Sequence, residues 1–196
     1  MKLIAGLGNP GRRYAGTRHN LGYAVVEELA RRWDVDVSRY EARFEGQIGA
    51  AEVASERIWL LMPTTYMNLS GRSVAAAARY YKIESVDVLV ICDDLDLPVG
   101  RVRMRRSGSG GGQKGLLDIL RHLSTDEVPR LRIGIGSVHK SATVEYVLSR
   151  FDADEQVMAD HAVGTAADAA ECWVRRGVDA AMNEFNRKPS EEGESS

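Results

Sequence analysis

The sequence predicts an α/β fold, a single three-layer domain whose twisted, mostly parallel or mixed sheet is flanked by helices. Short apolar runs typical of strands alternate with segments of helical spacing, as in sheets covered by helices. The 196 residues are 44% hydrophobic and 28% charged, which suits one domain with a sizeable core. We therefore expect a domain over residues 1–187. A disordered tail is expected at 188–196, because no aliphatic residue occurs there.

The first elements follow from periodicity and turn signals. An apolar run at 3–5 predicts a strand, and apolar positions spaced by four residues predict a helix over 21–33. Two further strands, 44–54 and 57–62, are expected to form a hairpin. An alanine-rich segment predicts a helix over 70–81.

The second half continues the alternation of strands and helices. The apolar run over 86–92 predicts a buried strand that ends in acidic residues. Further strands are expected at 101–106 and 130–136, with a helix over 113–123 between them. From residue 143 to about 186 the pattern is mainly helical.

Composition excludes several classes of protein. No apolar run approaches the ~20 residues of a membrane span. The N-terminus lacks the pattern of an export signal, and Cys92 and Cys172 lack metal-like spacing, so we expect a cytoplasmic protein with reduced cysteines. The net charge of −2 argues against a general nucleic-acid coat. Nevertheless, residues 97–117 contain no acid and several bases.

The first strand leads into the turn Gly6-Leu7-Gly8-Asn9-Pro10-Gly11, which is soon followed by Thr17-Arg18-His19-Asn20. Open α/β sheets bind ligands at the carboxyl ends of their strands. The amide of Asn9 can donate and accept hydrogen bonds, and His19 can exchange a proton near neutral pH. This combination predicts an active site at the turn.

Two simpler interpretations compete with this prediction. The glycines match the dinucleotide-binding pattern G-x-G-x-x-G, but Pro10 removes a donor and no helical periodicity begins at the third glycine. A nicotinamide cofactor is therefore disfavoured. His19 and Asn20 could instead cap the helix over 21–33, an interpretation that fits Asn20 better than His19.

The strand over 86–92 delivers three acidic residues, which admit three interpretations. Asp93, Asp94 and Asp96 could hold Mg²⁺, which prefers carboxylate ligands. Asp93 could instead pair with His19, fixing its tautomer so that the other ring nitrogen acts as a base. Asp96 could simply cap the turn at 97–100. We favour the His19 partner for Asp93 and the cap for Asp96.

Residues 63–71 also follow a strand and should reach the same edge of the sheet. Within them, Asn68 is either a helix cap or a second amide that binds a carbonyl or a developing oxyanion.

Arginines alternate with apolar residues in the strand over 101–106, so Arg101, Arg103 and Arg105 should share one face. A charged edge strand that prevents aggregation would look the same. However, a glycine-rich loop at 107–112 then leads into a helix, whose N-terminus suits phosphate. We expect a polyanion bound at its phosphates, and Arg130 and Arg132 could extend the surface.

These motifs, in this order, resemble the bacterial peptidyl-tRNA hydrolase family. The resemblance covers nearly the whole chain up to the C-terminal helices. It rests on residues 6–11, Tyr14, 17–20, 63–71, 93–98 and 131–136.

The resemblance implies hydrolysis of the ester between a peptide and the 3′ end of tRNA, without metal or organic cofactor. The residue matching His19 would activate water, and that matching Asp93 would hold it in its basic form. The residue matching Asn9 would distinguish blocked from free aminoacyl-tRNA. The remaining implied contacts are with the substrate, from Tyr14, Tyr66 and Asn68, and with the tRNA 5′ phosphate, from Arg105 and Arg132. The expected partner is peptidyl-tRNA, bound at its acceptor stem and 3′ end by a monomer.

One motif departs from the family. Where the family commonly has His-Asn-Gly, this chain has Gln113-Lys114-Gly115. Lys114 cannot accept a hydrogen bond as an amide does, but it can hold a water or contact phosphate or ribose at the 3′ end. Residues 137–140 also differ, so His139 carries no inference. The rival hypothesis is a non-catalytic RNA-binding relative of the same fold, with a dinucleotide-dependent enzyme as a distant third.

Overall fold

The computed structural model describes residues 1–137 and 143–187, so the predicted tail at 188–196 lies outside the described residues. The strands are β1 (Lys2–Gly6), β2 (Tyr40–Glu41), β3 (Gly46–Val53), β4 (Glu56–Pro63), β5 (Val88–Asp94), β6 (Val102–Arg105) and β7 (Arg130–Gly134). The helices are α1 (Leu21–Arg32), α2 (Ser70–Tyr81), α3 (Lys114–Leu123), α4 (Thr143–Val147), α5 (Ala153–Arg176) and α6 (Val178–Phe185).

The strands form one mixed sheet of seven strands in the order β2-β3-β4-β1-β5-β7-β6. The central strands β4, β1, β5 and β7 are parallel, whereas β2, β3 and β6 pair antiparallel with their neighbours. Because β4 and β5 flank β1, the carboxyl ends of the three strands meet at one edge. Ligand sites of open α/β sheets lie at such an edge.

Two apolar layers cover the sheet and confirm the predicted three-layer α/β architecture. Helices α1, α5 and α6 pack against one face, and α2 and α3 pack against the other. Both layers consist mainly of aliphatic side chains that are fully buried. In the described part of the chain, none of the helices has the length and apolar composition to cross a membrane.

Most element boundaries agree with the sequence prediction, and the differences have local causes. The hairpin between β3 and β4 turns at Ala54 and Ser55, both of which have positive φ. Phe44 lies in a short 3₁₀ helix before β3 rather than in the strand. The strand predicted to begin at 86 begins at Val88, after a 3₁₀ turn. The two-residue strand β2 was not predicted, because it is too short to show alternation.

Gly6 is required by packing rather than by close approach of a ligand. A Cβ atom on Gly6 would lie 2.1 Å from the backbone oxygen of Gly22 in α1. The helix therefore rests directly on the end of β1. Gly11, by contrast, adopts a positive φ of 101° and leads into a 3₁₀ helix, not into an α-helix as a dinucleotide site requires.

Candidate active site

A cavity of about 880 Å³ opens at the carboxyl edge of the sheet. It lies beyond the ends of β1, β4, β5 and β7 and is closed on one side by α4. Most of the site residues predicted from the sequence line it, namely Asn9, His19, Tyr66, Asn68, Asp93, Lys114 and Arg132. Tyr14 and Arg105 do not line this cavity.

His19 and Asp93 are in direct contact. The Nδ1 atom of His19 lies 2.8 Å from Oδ2 of Asp93, although 74 residues separate them in the chain. The Asp93 side chain is only 3% exposed, and that of His19 is 15% exposed. Because a carboxylate accepts hydrogen bonds, Nδ1 carries the proton and donates it to Asp93. The lone pair of Nε2 is thereby left to accept a proton.

The second carboxylate oxygen of Asp93 is also bound. Nε2 of Gln113 donates to Oδ1 of Asp93 at 3.0 Å. Gln113 is also the N-cap of α3, because its Oε1 accepts a hydrogen bond from the backbone N–H of Leu116 at 3.0 Å. The sequence placed Gln113 at a helix start but gave no indication of its contact with Asp93.

Asn9 is held by a reciprocal pair of hydrogen bonds with Asn20. The Asn20 side chain accepts from the Asn9 N–H at 2.9 Å and donates to the Asn9 carbonyl at 3.0 Å. Asn9 Oδ1 in turn accepts from the backbone N–H of Met67 at 3.0 Å. The alternative interpretation of Asn20 as the cap of α1 is right about its position, since Asn20 is the N-cap residue, but its side chain makes no capping bond. Instead it fixes the backbone that carries Asn9.

The segment after β4 presents two exposed side chains to the cavity. Tyr66 is 61% exposed, and Asn68 follows it in a 3₁₀ helix before α2. The interpretation of Asn68 as the cap of α2 is wrong, because the N-cap position is Leu69. A residue of another helix caps α2 instead: the carboxylate of Asp118 in α3 accepts a hydrogen bond from the backbone N–H of Gly71 at 2.8 Å.

Two other predicted site residues, Lys114 and Tyr14, differ in their relation to the cavity. Lys114 is exposed at the first turn of α3 and faces the cavity. Tyr14 lies in a 3₁₀ helix, where its carbonyl accepts from the backbone N–H and the hydroxyl of Thr17. The guanidinium of Arg13 stacks over the Tyr14 ring at 4.6 Å. The structure therefore does not bring Tyr14 into the lining of the cavity.

The three acidic residues after β5 do not converge on one point. Asp94 Oδ2 lies 2.7 Å from Nε of Arg132, and burial raises the pKa of Asp94. The Asp96 side chain is 79% exposed and reaches only Nη2 of Arg132, at 3.9 Å. The predicted cap role of Asp96 is wrong, because it is Asp94 that accepts from the Asp96 N–H. Within residues 1–137 and 143–187, no three His, Cys, Asp or Glu side chains group as metal ligands would.

The predicted basic strand is only partly a basic surface. Val102 and Met104 of β6 are buried, and Arg103 and Arg105 point to the opposite face of the sheet. Arg101 precedes the strand, and its guanidinium donates to the carbonyl of Asn186 after α6. Its guanidinium therefore binds the segment after α6.

Arg130 does not extend this surface, contrary to the suggestion from sequence. It is 2% exposed, and its guanidinium donates to the carbonyls of Gly108, Ser109, Asp126 and Val128. Burial lowers the pKa of this guanidinium. Arg130 thus holds the glycine-rich loop from beneath, while Arg132 reaches the cavity.

Arg18, the residue before His19, is a further residue that the sequence analysis did not identify. Its guanidinium lies 4.3 Å from the ring centre of Tyr146 and 4.5 Å from that of Phe151. It also donates to Ser149 Oγ at 3.2 Å and to Glu155 at 2.5 Å. Arg18 therefore ties the turn that carries His19 to α4, to the start of α5 and to the segment between them.

The Arg18–Glu155 pair is expected to make stability depend on pH in acid. Its hydrogen bond lowers the pKa of Glu155, so the stabilisation is complete above the unfolded pKa of about 4.3 and is lost as pH falls through the lower folded value. Glu155→Gln should lower Tm at neutral pH, and the difference should shrink below about pH 4. Thermal unfolding followed by circular dichroism at several pH values measures this.

Glu52→Gln is the control, because Glu52 is exposed on β3. Glutamine can still complete the capping box of α5, so the variant tests the charge rather than the cap. A Tm difference for Glu155→Gln that stays constant over the whole pH range contradicts the expectation.

Comparison with known proteins agrees with this geometry. The sequence profile of the family described as peptidyl-tRNA hydrolase matches residues 3–193. The chain is 50% identical to the peptidyl-tRNA hydrolase of Rhodopirellula baltica, covering 95% of this chain and 97% of that protein. It is 47% identical to that of Bacillus cytotoxicus, covering 95% of this chain and 100% of that protein.

Solved structures lead to the same assignment. The crystal structure of peptidyl-tRNA hydrolase from Acinetobacter baumannii superimposes with a TM-score of 0.90 at 37% sequence identity. The match covers 95% of this chain and 94% of that one. The profile match and these identities span nearly the full length of the chain. The chain therefore belongs to the peptidyl-tRNA hydrolase family.

Proposed function

We propose that this enzyme hydrolyses the ester between a peptide, or an N-blocked aminoacyl group, and tRNA, releasing free tRNA for translation. The observation that carries the proposal is the His19–Asp93 contact at 2.8 Å, at the edge of a cavity of about 880 Å³. A site that only binds RNA needs no buried carboxylate to orient an imidazole. Family membership supplies the substrate class.

In the proposed mechanism, Nε2 of His19 removes a proton from water while the water oxygen attacks the ester carbonyl. Asp93 accepts the hydrogen bond from Nδ1 and stabilises the imidazolium that forms. The C–O bond to the ribose then breaks, and the proton passes from the imidazolium to the departing 3′ oxygen. The products are tRNA with its 3′ hydroxyl restored and the peptide carboxylic acid, which releases its proton to solvent and becomes the carboxylate.

Amide groups at the cavity would hold the acyl part of the substrate. We assign Asn9 the recognition of the blocked amino group, because its side-chain oxygen is fixed by Met67 and its backbone by Asn20. Asn68 and Tyr66 are exposed on the same wall and would contact the ester carbonyl and the peptide. We also assign Tyr14 to the substrate site, a proposal that rests on the resemblance alone.

The tRNA would lie across the face of β6 and β7. Arg105 and Arg132 are proposed to hold the 5′ phosphate of the acceptor stem, and Lys114 to contact phosphate or ribose at the 3′ end. Arg105 has no ion pair among the described residues, so its charge is available to a phosphate. We further propose that the enzyme acts as a cytoplasmic monomer, a proposal that rests on the sequence alone.

The test of the function compares cleavage of N-acetyl-aminoacyl-tRNA with cleavage of its unblocked counterpart. We expect hydrolysis of the blocked substrate and little of the free aminoacyl-tRNA. The rival hypothesis, a non-catalytic RNA-binding relative, predicts tRNA binding without release of either acyl group. A chain that cleaves neither substrate contradicts the proposed function.

Binding of tRNA should weaken steeply as salt rises, because phosphate contacts release counterions. Arg105→Gln and Arg132→Gln should each reduce the slope of log Kd against log salt concentration by about one phosphate contact. Titration of fluorescently labelled tRNA between low and moderate salt measures the slope. Arg57→Gln at the amino end of β4 is the control and should leave it unchanged. Unaltered slopes for both Arg105→Gln and Arg132→Gln contradict the proposed phosphate site.

A further inference from the structure

The amide of Gln113 has a fixed orientation. Its Oε1 must face the backbone N–H of Leu116, which can only donate, so its Nε2 faces Asp93. The same Nε2 lies 3.2 Å from Sδ of Met67, whose backbone N–H binds Asn9. One side chain therefore joins the start of α3 to the buried carboxylate and to the wall that carries Asn9.

We propose that Gln113 is a positioning residue for the His19–Asp93 pair, an inference that rests on the proposed hydrolysis. It binds Oδ1 of Asp93 at 3.0 Å, so the carboxylate is held with Oδ2 toward Nδ1 of His19. Each carboxylate oxygen has its own donor, so a rotation of the carboxylate out of this plane would weaken both bonds. Gln113 acts through Asp93 and needs no contact with the substrate.

Burial makes this second donor important. The Asp93 side chain is 3% exposed, so water cannot readily replace a lost donor. A buried acceptor without a partner is costly, and the carboxylate would then rotate or take up more of the His19 proton. An amide does not titrate between pH 5 and 9, so Gln113 donates equally well across the range in which His19 must work.

The glycine-rich loop supports this arrangement from behind. The backbone N–H of Gln113 donates to the carbonyl of Gly110 at 3.0 Å, and Arg130 binds the carbonyls of Gly108 and Ser109 at 2.7 and 3.1 Å. Gly111 and Gly112 have φ of 56° and 82°, a conformation that favours glycine. The loop thus holds Gln113 beside Asp93. The buried guanidinium of Arg130 contributes by fixing the loop carbonyls that precede Gln113.

The experiment measures kcat and KM as a function of pH for wild type and three variants at Gln113. Gln113→Glu keeps the acceptor for the Leu116 N–H but faces Asp93 with a second carboxylate. Because the added negative charge favours a protonated imidazole, the acid limb of kcat should move up by about one pH unit. Gln113→Met removes the donor and should lower kcat about tenfold with KM little changed. Gln113→His can donate to Asp93 again and should restore most of kcat.

A second measurement does not depend on turnover. The imidazole NMR signals of His19, assigned by their loss in His19→Ala, are followed against pH in wild type and Gln113→Glu. We expect the titration midpoint of His19 to rise in the variant, in step with the acid limb. Gln47→Glu on β3 is the control, because it adds the same charge three strands away from β5.

An acid limb and an imidazole titration that both superimpose on those of wild type in Gln113→Glu overturn the proposal. Gln113→Glu does not remove the N-cap acceptor, so the result stands even if Gln113→Met fails to fold. Failure of the proposed function is a different outcome. In that case wild type cleaves no peptidyl-tRNA. The NMR titration still shows whether the side chain at position 113 affects the titration midpoint of His19.

Discussion

Replacing His19 with alanine is expected to lower kcat for N-acetyl-aminoacyl-tRNA by about 10²–10⁴-fold, the range typical of a lost general base. The expectation follows from the position of the imidazole. Its Nδ1 is bound to Asp93, and in the described part of the chain its Nε2 has no hydrogen-bond partner. Asp93 cannot take over as the base in the variant, because its side chain is buried behind the position of the imidazole.

The affinity of the variant for tRNA should change little, because the proposed tRNA contacts come from Arg105, Arg132 and Lys114 and not from His19. Kinetics and tRNA binding are therefore measured on the same preparation. His161→Ala serves as the control, since His161 is exposed on α5. Undiminished turnover in His19→Ala would remove the general base from the mechanism. Loss of tRNA binding in parallel with turnover would favour the rival view of His19 as a binding residue.

From the sequence, the contact between His19 and Asp93 was the favoured one of three interpretations, and the topology explains it by bringing their segments together. Asp93 lies at the carboxyl end of β5, and His19 lies in the 3₁₀ helix before α1, on the segment that follows the parallel neighbour β1. A separation of 74 residues in the chain is therefore no obstacle. The strands themselves were predictable because buried central strands are continuous apolar runs.

The residues that hold the site were much harder to predict. Asn20, Gln113 and Arg18 all stand beside helices or turns, where a local role as a cap or a surface charge is the usual interpretation. Their actual partners are Asn9 for Asn20, Asp93 for Gln113, and residues of α4, α5 and the segment between them for Arg18, all from other parts of the chain. No local periodicity encodes such contacts, because they depend on which segments the sheet order makes neighbours.

The arginines illustrate the same limit at the surface. Alternation correctly separates Arg103 and Arg105 from the buried Val102 and Met104. It cannot show that the glycine-rich loop folds over Arg130 and leaves its guanidinium 2% exposed beneath the loop carbonyls. Charge patterns in a sequence therefore indicate which face a strand residue occupies, whereas exposure depends on the loops that cross that face.

Replacing Asp93 with asparagine is expected to reduce kcat by about 10⁴-fold, as when the carboxylate of a catalytic triad becomes an amide. The structure supplies a specific reason for so large an effect. Gln113 presents its N–H₂ group to position Oδ1, so the new side chain must place its oxygen there. Its own N–H₂ group then faces His19 and donates to Nδ1. That tautomer carries its proton on Nε2 and cannot accept one from water.

The effect of Asp93→Asn should therefore depend on Gln113. The control for amide substitution next to the same strand is Asp87→Asn. Asp87 precedes β5 and pairs with Lys2 at 2.9 Å, far from the cavity. When Gln113→Met is combined with Asp93→Asn, the new amide is free to turn its oxygen toward Nδ1. The double variant should then be more active than Asp93→Asn alone, by about tenfold if the wrong tautomer accounts for most of the loss. Additive losses would show that Asp93→Asn acts by removing charge, with no contribution from the direction in which Gln113 holds the side chain.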